Sequence, residues 1–427
     1  MASLDRPKIR PTIFARRFEH EGRAYAAIQD ELGVLDGPLP ISLDGYQRIV
    51  RRFDGRTSLI DIQGHLFRET GQRVAIEELE RLVDHLDRAM VLDGPTFASF
   101  HESYRQAGVR PPSHAGRSYP GTEAALRAQL DRHFAHPRGS GLPFDGFAPP
   151  AAPLRGVLSP HIDFQRGGPV YTWAYKALVE QSDADTFVVL GVAHQPCRHR
   201  FALTRKDFET PLGLARTDRG FVDRIASEAG AHLFEDELAH RTEHSIEFQV
   251  VFLQYLLGPR RAFSIVPILV GSFHDLMTAG TEPIDAPEVA RFVEALRAAE
   301  ASSGKKVAYV GGIDLCHVGP EFGDPGPLDA ATLDTVRAFD AAMLDRAGAN
   351  DPAGWFAMAA AVENRWRVCG LAAAYTMLRA IGPARGRLLS YDQAVNPERT
   401  CGVSFASMVF EGVSPGPATS HEVRPRV

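Results

Sequence analysis

The stretch DTFVVLGVAHQP, residues 185–196, sets an unbroken apolar run directly before a glycine and a histidine. The run 186–190 reads as a strand buried on both faces, the signature of a parallel sheet. His194 then lies just past its carboxyl end, where open α/β sheets bind ligands. Two other stretches repeat the plan. In LSPHIDF (158–164) His161 follows the run 156–158, and in YVGGIDLCH (309–317) Asp314 and His317 follow the run 306–310. Further runs at 263–269, 387–389 and 403–410 alternate with helical patterns at 121–134, 170–179, 220–228, 243–257, 287–299, 328–346 and 370–381. This alternation predicts an α/β domain over residues 113–412, its central sheet flanked by helices on both faces.

Residues 8–95 carry a separate pattern. Runs 14–19 and 23–28 on either side of 20–22 read as a hairpin, and helical patterns follow at 42–53, 58–70 and 75–90. Residues 91–92 read as a short returning strand. The order predicts a small α+β winged helix. Residues 94–112 read as loop, with 96–112 as the linker, and 137–153 as an irregular stretch on the surface. The tail 413–427 has little to bury and reads as disordered.

Charge excludes several partners. The 427 residues hold 47 Lys+Arg against 53 Asp+Glu, a net charge of −6. Residues 1–100 hold 14 basic and 16 acidic side chains, so the winged helix lacks the basic footprint of a DNA reader. No nucleic-acid partner is expected. The apolar runs fall well short of the ~20 residues of a membrane span, and no apolar run follows the N-terminal arginines as in a secretory signal. Four cysteines, at 197, 316, 369 and 401 with no CxxC pair, point to a reducing cytoplasm.

Three strand ends that each deliver an imidazole or carboxylate to one edge of a sheet imply metal ligation, the natural use of converging neutral imidazoles. A further ligand is needed. Cys369 stands at the start of the helical pattern 370–381, where a helix N-terminus would favour thiolate, although a small buried hydrophobe fits the position too. HRTEH (240–244) matches the inverted zinc-protease pattern H-x-x-E-H. A helix starting near Thr242, with Thr242 as its cap, would leave His240 outside, so zinc proteolysis is the weaker reading. Serine-elbow, phosphate-loop and dinucleotide fingerprints are absent from the sequence.

Eight segments in order, SHAGRSYP (113–120), SPHIDFQRGG (159–168), LGVAHQP (190–196), TEHSIEFQ (242–249), VPILVG (266–271), IDLCHVG (313–319), VCG (368–370) and LLSYDQA (388–394), resemble the Memo family. That family is system protein B of the AmmeMemoRadiSam set and is related to class III extradiol dioxygenases. The resemblance implies metal ligands His161, His194 and Cys369, with His317 as the acid/base group beside the open position and Asp314 next to it, orienting an imidazole or binding the metal weakly. It implies supporting or pocket roles for His244, Glu247, His114, Tyr119 and Tyr391. Asp163 either joins the pocket or accepts backbone hydrogen bonds in its turn. Two imidazoles and a thiolate suit Fe(II) or copper better than zinc.

The implied function is a metal-dependent redox enzyme acting on a peptide or small aromatic substrate, with radical-SAM and AMMECR-like partner proteins. The alternative is a non-catalytic peptide-binding adaptor. The eight segments do not extend to residues 1–112, so the front domain reads as an addition. There, RRFDGRTSLIDI (51–62) and EELERLVDHLDRAMVLDG (77–94) resemble PqqD-like peptide-recognition domains.

Overall fold

The structure is a computed structural model that describes residues 4–143 and 152–413. The tail 414–427 and residues 144–151 of the irregular stretch lie outside the described residues. Internal contacts divide the chain into two units, Met1–Ala107 and Gly108–Val427.

In the first unit, β1 (Ile13–His20) and β2 (Arg23–Asp30) pair antiparallel. Glu21 and Gly22 join them with φ of 50° and 73°, the two positive angles that a tight hairpin turn demands. A third strand, β3 (Leu39–Ser42), pairs with β2 and ends at Ser42, the first residue of the stretch read as helix 42–53. What remains there is a short helix, Leu43–Arg48, capped by Ser42, and a 3-10 turn, Val50–Arg52. The helix Leu59–Thr70 begins with a capping box between Ser58 and Asp61 and is followed by the helix Ile76–Arg88. Their apolar stripes, Leu59, Ile62 and Leu66 against Leu79, Val83 and Leu86, close over Ile28, Val50 and Phe53. Residues 91–92 form only an isolated bridge, Ile9 to Leu92. The expected linker is also corrected. Residues Pro95–Gln106 form a helix, with Pro95 at its first position, where proline starts helices instead of breaking them.

The second unit holds an eleven-stranded sheet. Its strands are β4 (Val109–Arg110), β5 (Leu154–Ser159), β6 (Thr186–Val192), β7 (Phe201–Leu203), β8 (Asp207–Thr210) and β9 (Gly213–Thr217). They continue with β10 (Ser264–Val270), β11 (Val307–Gly312), β12 (His317–Val318), β13 (Ala384–Val395) and β14 (Gly402–Gly412). The order is β12-β14-β5-β11-β6-β10-β9-β8-β4, with β13 on β14 and β7 on β10. Strands β5, β11, β6, β10 and β9 run parallel, while β14 turns antiparallel along β5.

Successive residues of β6 serve opposite cores, as a pleated strand requires. Val188 and Leu190 pack with the helices Arg219–Ala229, Pro287–Ser303 and Leu371–Ala380. Phe187 and Val189 pack with the helices Glu123–Ala135, Phe164–Gln181 and His244–Leu257. Helices therefore cover both faces. Among the described residues no helix is long and apolar enough to cross a membrane.

Candidate metal centre

Three neighbouring strands create the site. In the order β5-β11-β6, His161 stands two residues past Ser159, Asp314 two past Gly312, and His194 two past Val192. Parallel strands of matching register deliver these side chains to one edge, so convergence is a product of topology. The fourth group arrives from elsewhere. Cys369 ends an irregular turn that includes Glu363, Asn364 and Arg367 at positive φ, just before the helix Leu371–Ala380. Gly370 lets that turn press onto β11's exit, because a Cβ there would meet the Ile313 Cβ at 2.4 Å.

One donor atom each of His161, His194 and Cys369 lies within 4.8 Å of the others. Each imidazole has its Nδ1 already engaged. His161 Nδ1 is 2.9 Å from the Gly312 carbonyl, and His194 Nδ1 is 3.1 Å from both oxygens of Glu243. Nδ1–H donation leaves the Nε2 lone pairs for a cation, the arrangement that orients metal-bound imidazoles. His161 Nε2 faces Cys369 Sγ at 3.3 Å and Asp314 Oδ2 at 3.6 Å. The same logic extends to His317, whose Nδ1 sits 3.1 Å from the carbonyls of Leu315 and Arg367. Donor set and spacing fit a transition metal.

Electrostatics leave His161 and His244 ready to ligate and oppose ligation at His194 and Cys369. Burial pulls His161 down to about 3 and His244 to about 3, so both imidazoles are neutral. Burial opposes charge on His194 as well, but the Glu243 carboxylate outweighs it and holds His194 above its ordinary value. Burial raises Asp314 to about 6. Cys369 corrects the helix-terminus argument. Burial, with Asp314 beside it, pushes its thiol well above the ordinary range, and Sγ lies 3.6 Å from the Asp314 carbonyl. Thiolate character has to come from a bound cation.

The supporting residues divide. His244 joins the centre: its ring stacks on His194 at 4.9 Å and meets His161 edge-on at 5.2 Å, and with Glu243 and His194 it forms an overlapping donor set. His114 reaches the rim, its ring 5.6 Å from His244 and its Nε2 2.9 Å from the Thr242 carbonyl. Glu247 and Tyr119 instead form a fastening. Buried Glu247 takes the Arg110 guanidinium, the Tyr119 hydroxyl, the Ser113 hydroxyl and the backbone N–H groups of Ser113 and His114.

Asp163 settles on the second of its two readings. It caps the helix Phe164–Gln181 by accepting from Arg166 N–H and binds the Arg166 side chain. Tyr391 gives its hydroxyl to Asp340, which also accepts from Cys316 Sγ.

The residue missed by sequence reasoning is Glu243. It, not Thr242, caps the helix His244–Leu257, accepting from the N–H groups of His244 and Ser245 while it holds His194. A carboxylate directly ahead of an apolar helix was the available signal. Arg110 was missed too, inside the supposed linker. The inverted protease motif fails as expected. His240 belongs to a separate 3-10 turn, buried with Nε2 on the Ala202 carbonyl. A cavity of about 260 Å³ opens beside the centre, lined by Ala193, Cys369, Val192, Phe273 and Leu371, with Arg367 and His274 as polar members.

The family described as Memo-like protein matches residues 110–409, which span the sheet, both imidazoles and Cys369. The chain belongs to the Memo family. A MEMO1 family protein of Aquifex aeolicus is 29% identical over 364 residues, covering 84% of this chain and 88% of that protein. Another, of Methanopyrus kandleri, is 32% identical over 310 residues, covering 70% of this chain and 98% of its own. A third, of Thermus thermophilus, is 29% identical over 340 residues, covering 79% and 94%. The Aquifex match takes in a larger share of the chain than residues 108–427 make up, so it reaches into the first unit. The family model itself begins at residue 110, so the first unit lies outside the Memo match although that relative shares at least part of it.

Proposed function

We propose that this protein is a metal-dependent redox enzyme that holds iron or copper at His161, His194 and Cys369. One observation carries the reading: donors from three separate segments meet within 4.8 Å, with each imidazole's Nδ1 spent on a fixed acceptor. When bound, the metal supplies a redox-active Lewis acid at the mouth of the sheet. The chain supplies the rest. His317, held below its ordinary pKa by burial, is neutral near pH 7 and takes or returns a proton at Nε2 while Nδ1–H stays on its carbonyls. Asp314 accepts the backbone N–H of His161 at 2.9 Å and so holds that residue's main chain, while the Gly312 carbonyl holds its ring. The cavity beside Cys369, with Phe273 and Leu371 in its wall, offers space for a small aromatic or peptide side chain. Two imidazoles and one anionic ligand with open positions suit Fe(II), a set of two imidazoles and a thiolate suits copper, and four free cysteines suit a reducing cytoplasm. The family resemblance names radical-SAM and AMMECR-like proteins as partners.

The test is elemental analysis with absorption spectroscopy on anaerobically purified protein. Wild type retains iron or copper near one equivalent, and His194→Ala and Cys369→Ser retain under a tenth of that. Full retention by both variants would overturn the site. The adaptor reading draws on one feature of the first unit: among the described residues β1, eight residues long, pairs on one side only, with β2, leaving an edge on which a peptide strand can add. Dioxygen consumption by the metal-loaded protein with catechols or reductants separates the two readings. Turnover favours the enzyme, and none favours the adaptor.

A further inference from the structure

We propose that His199, His232 and Glu288 form a second cation site, for a divalent ion of the zinc or cobalt class. One donor atom from each residue lies within 4.8 Å of the others. The three come from different elements: the loop after β6, the 3-10 turn Ala231–Phe234 and the first turn of the helix Pro287–Ser303. The rings of His199 and His232 meet edge-on with centroids 4.7 Å apart. Two imidazoles and a carboxylate, with room for water, are the ligand set of open zinc sites.

Several details point the same way. Glu235 stands 3.1 Å from His199 Nε2, and Asp236 takes the His199 backbone N–H at 2.8 Å, so the ring is oriented by a carboxylate as metal-bound imidazoles are. His232 folds over its own chain. Gly230, at φ 124°, makes this possible, because a Cβ there would meet His232 Nδ1 at 2.4 Å. Among the described residues neither ring nitrogen of His232 has a hydrogen-bond partner, although the side chain is half-buried. Glu288 accepts the Arg200 N–H through Oε1, while Oε2 lies 3.4 Å from Arg200 Nε. That nitrogen is buried and makes no hydrogen bond, and the guanidinium is already paired with both oxygens of Asp275. The carboxylate thus keeps lone pairs for an ion.

Two surface cavities, about 430 and 260 Å³, share Glu288. His199 lines the first and His232 the second, so an ion and its waters reach the cluster from solvent. This site is distinct from the His161 centre but tied to it. His194 and His199 are five residues apart, which keeps their Cα atoms within roughly 18 Å. An ion on His199 would hold the segment that leaves His194 against the helix Pro287–Ser303.

Cobalt titration of the metal-free full-length protein tests the proposal, because thiolate-to-cobalt charge transfer marks only the centre that contains Cys369. Wild type is expected to bind two equivalents of Co²⁺, one with that band. His232→Ala and Glu288→Gln should bind one equivalent with the band intact, and Cys369→Ser one without it. The proposal is overturned if His232→Ala and Glu288→Gln both bind Co²⁺ as wild type does. It is also overturned if wild type binds a single equivalent that Cys369→Ser abolishes. Loss of the charge-transfer band alone would count against the His161 centre and leave this count unchanged.

Discussion

Glu243 and Glu247 stand one helical turn apart at the head of the helix His244–Leu257, yet they serve different regions of the molecule. Both are buried, and both are held below the ordinary glutamate range against the pull of burial. The charge that wins differs. For Glu243 it is His194, so the carboxylate acts on the metal-facing edge of the sheet. For Glu247 it is Arg110, so the carboxylate fastens the opening strand of the second unit. A one-turn offset on one helix separates a group that tunes chemistry from a group that holds the chain.

The largest effect should come from breaking the fastening. Arg110 donates Nε to the His240 carbonyl and an N–H to the Glu243 carbonyl as well as pairing with Glu247, and both charges are fully buried. Removing one partner of such a pair strands the other in a low dielectric at a cost of ~3–5 kcal/mol. Arg110→Ala should therefore lower the unfolding free energy of the second unit by about that amount in urea titrations. A loss under ~1 kcal/mol, the worth of an exposed pair, would show that the fastening is ornamental. Arg110→Lys keeps the charge and should recover part of the loss.

Glu243→Gln should give the opposite profile. The amide keeps the shape and can still accept from the helix N–H groups, but the charge behind His194 is gone. Loss of a carboxylate that orients a metal-bound imidazole weakens affinity by ~10–100-fold. Competition against a chelator should read that loss while the thermal midpoint moves little. If Glu243→Gln destabilises as much as Arg110→Ala and leaves metal affinity unchanged, the two glutamates are doing the same job.

This contrast also explains what the sequence could reveal. Buried parallel strands appear as apolar runs, so β5, β6, β10 and β11 were legible, and with them the positions of His161, His194 and Asp314. The short strands β7, β8 and β9 were not, because segments of three to five residues with polar members carry too little period to count. Glu243 was passed over because its partner His194 is 49 residues away and a threonine beside it offered a commoner cap. Arg110 was invisible for the same reason: its partner lies 137 residues downstream, and nothing local distinguishes a buried arginine from a linker arginine. The helix Pro95–Gln106 hides in the stretch 94–112 that reads as loop, because a proline begins a helix as readily as it breaks one.

The smallest effect tests a third carboxylate that sequence proximity had linked to the centre. Asp163 follows His161 by two residues, but its oxygens accept from Arg166 N–H at 3.1 Å and from Arg166 Nε at 2.5 Å, at the start of the helix Phe164–Gln181. An N-cap aspartate contributes ~1 kcal/mol, and it does so through backbone N–H groups that have no other partner. Asp163→Ala should cost about that much stability, Asp163→Asn much less, and neither should change metal affinity by more than ~2-fold. The distinction matters because a cap also sets where the helix begins. If Asp163→Ala weakened metal binding as strongly as Glu243→Gln, the direction of His161 would depend on that helix start, and support of the two imidazoles would be shared across both flanking helices.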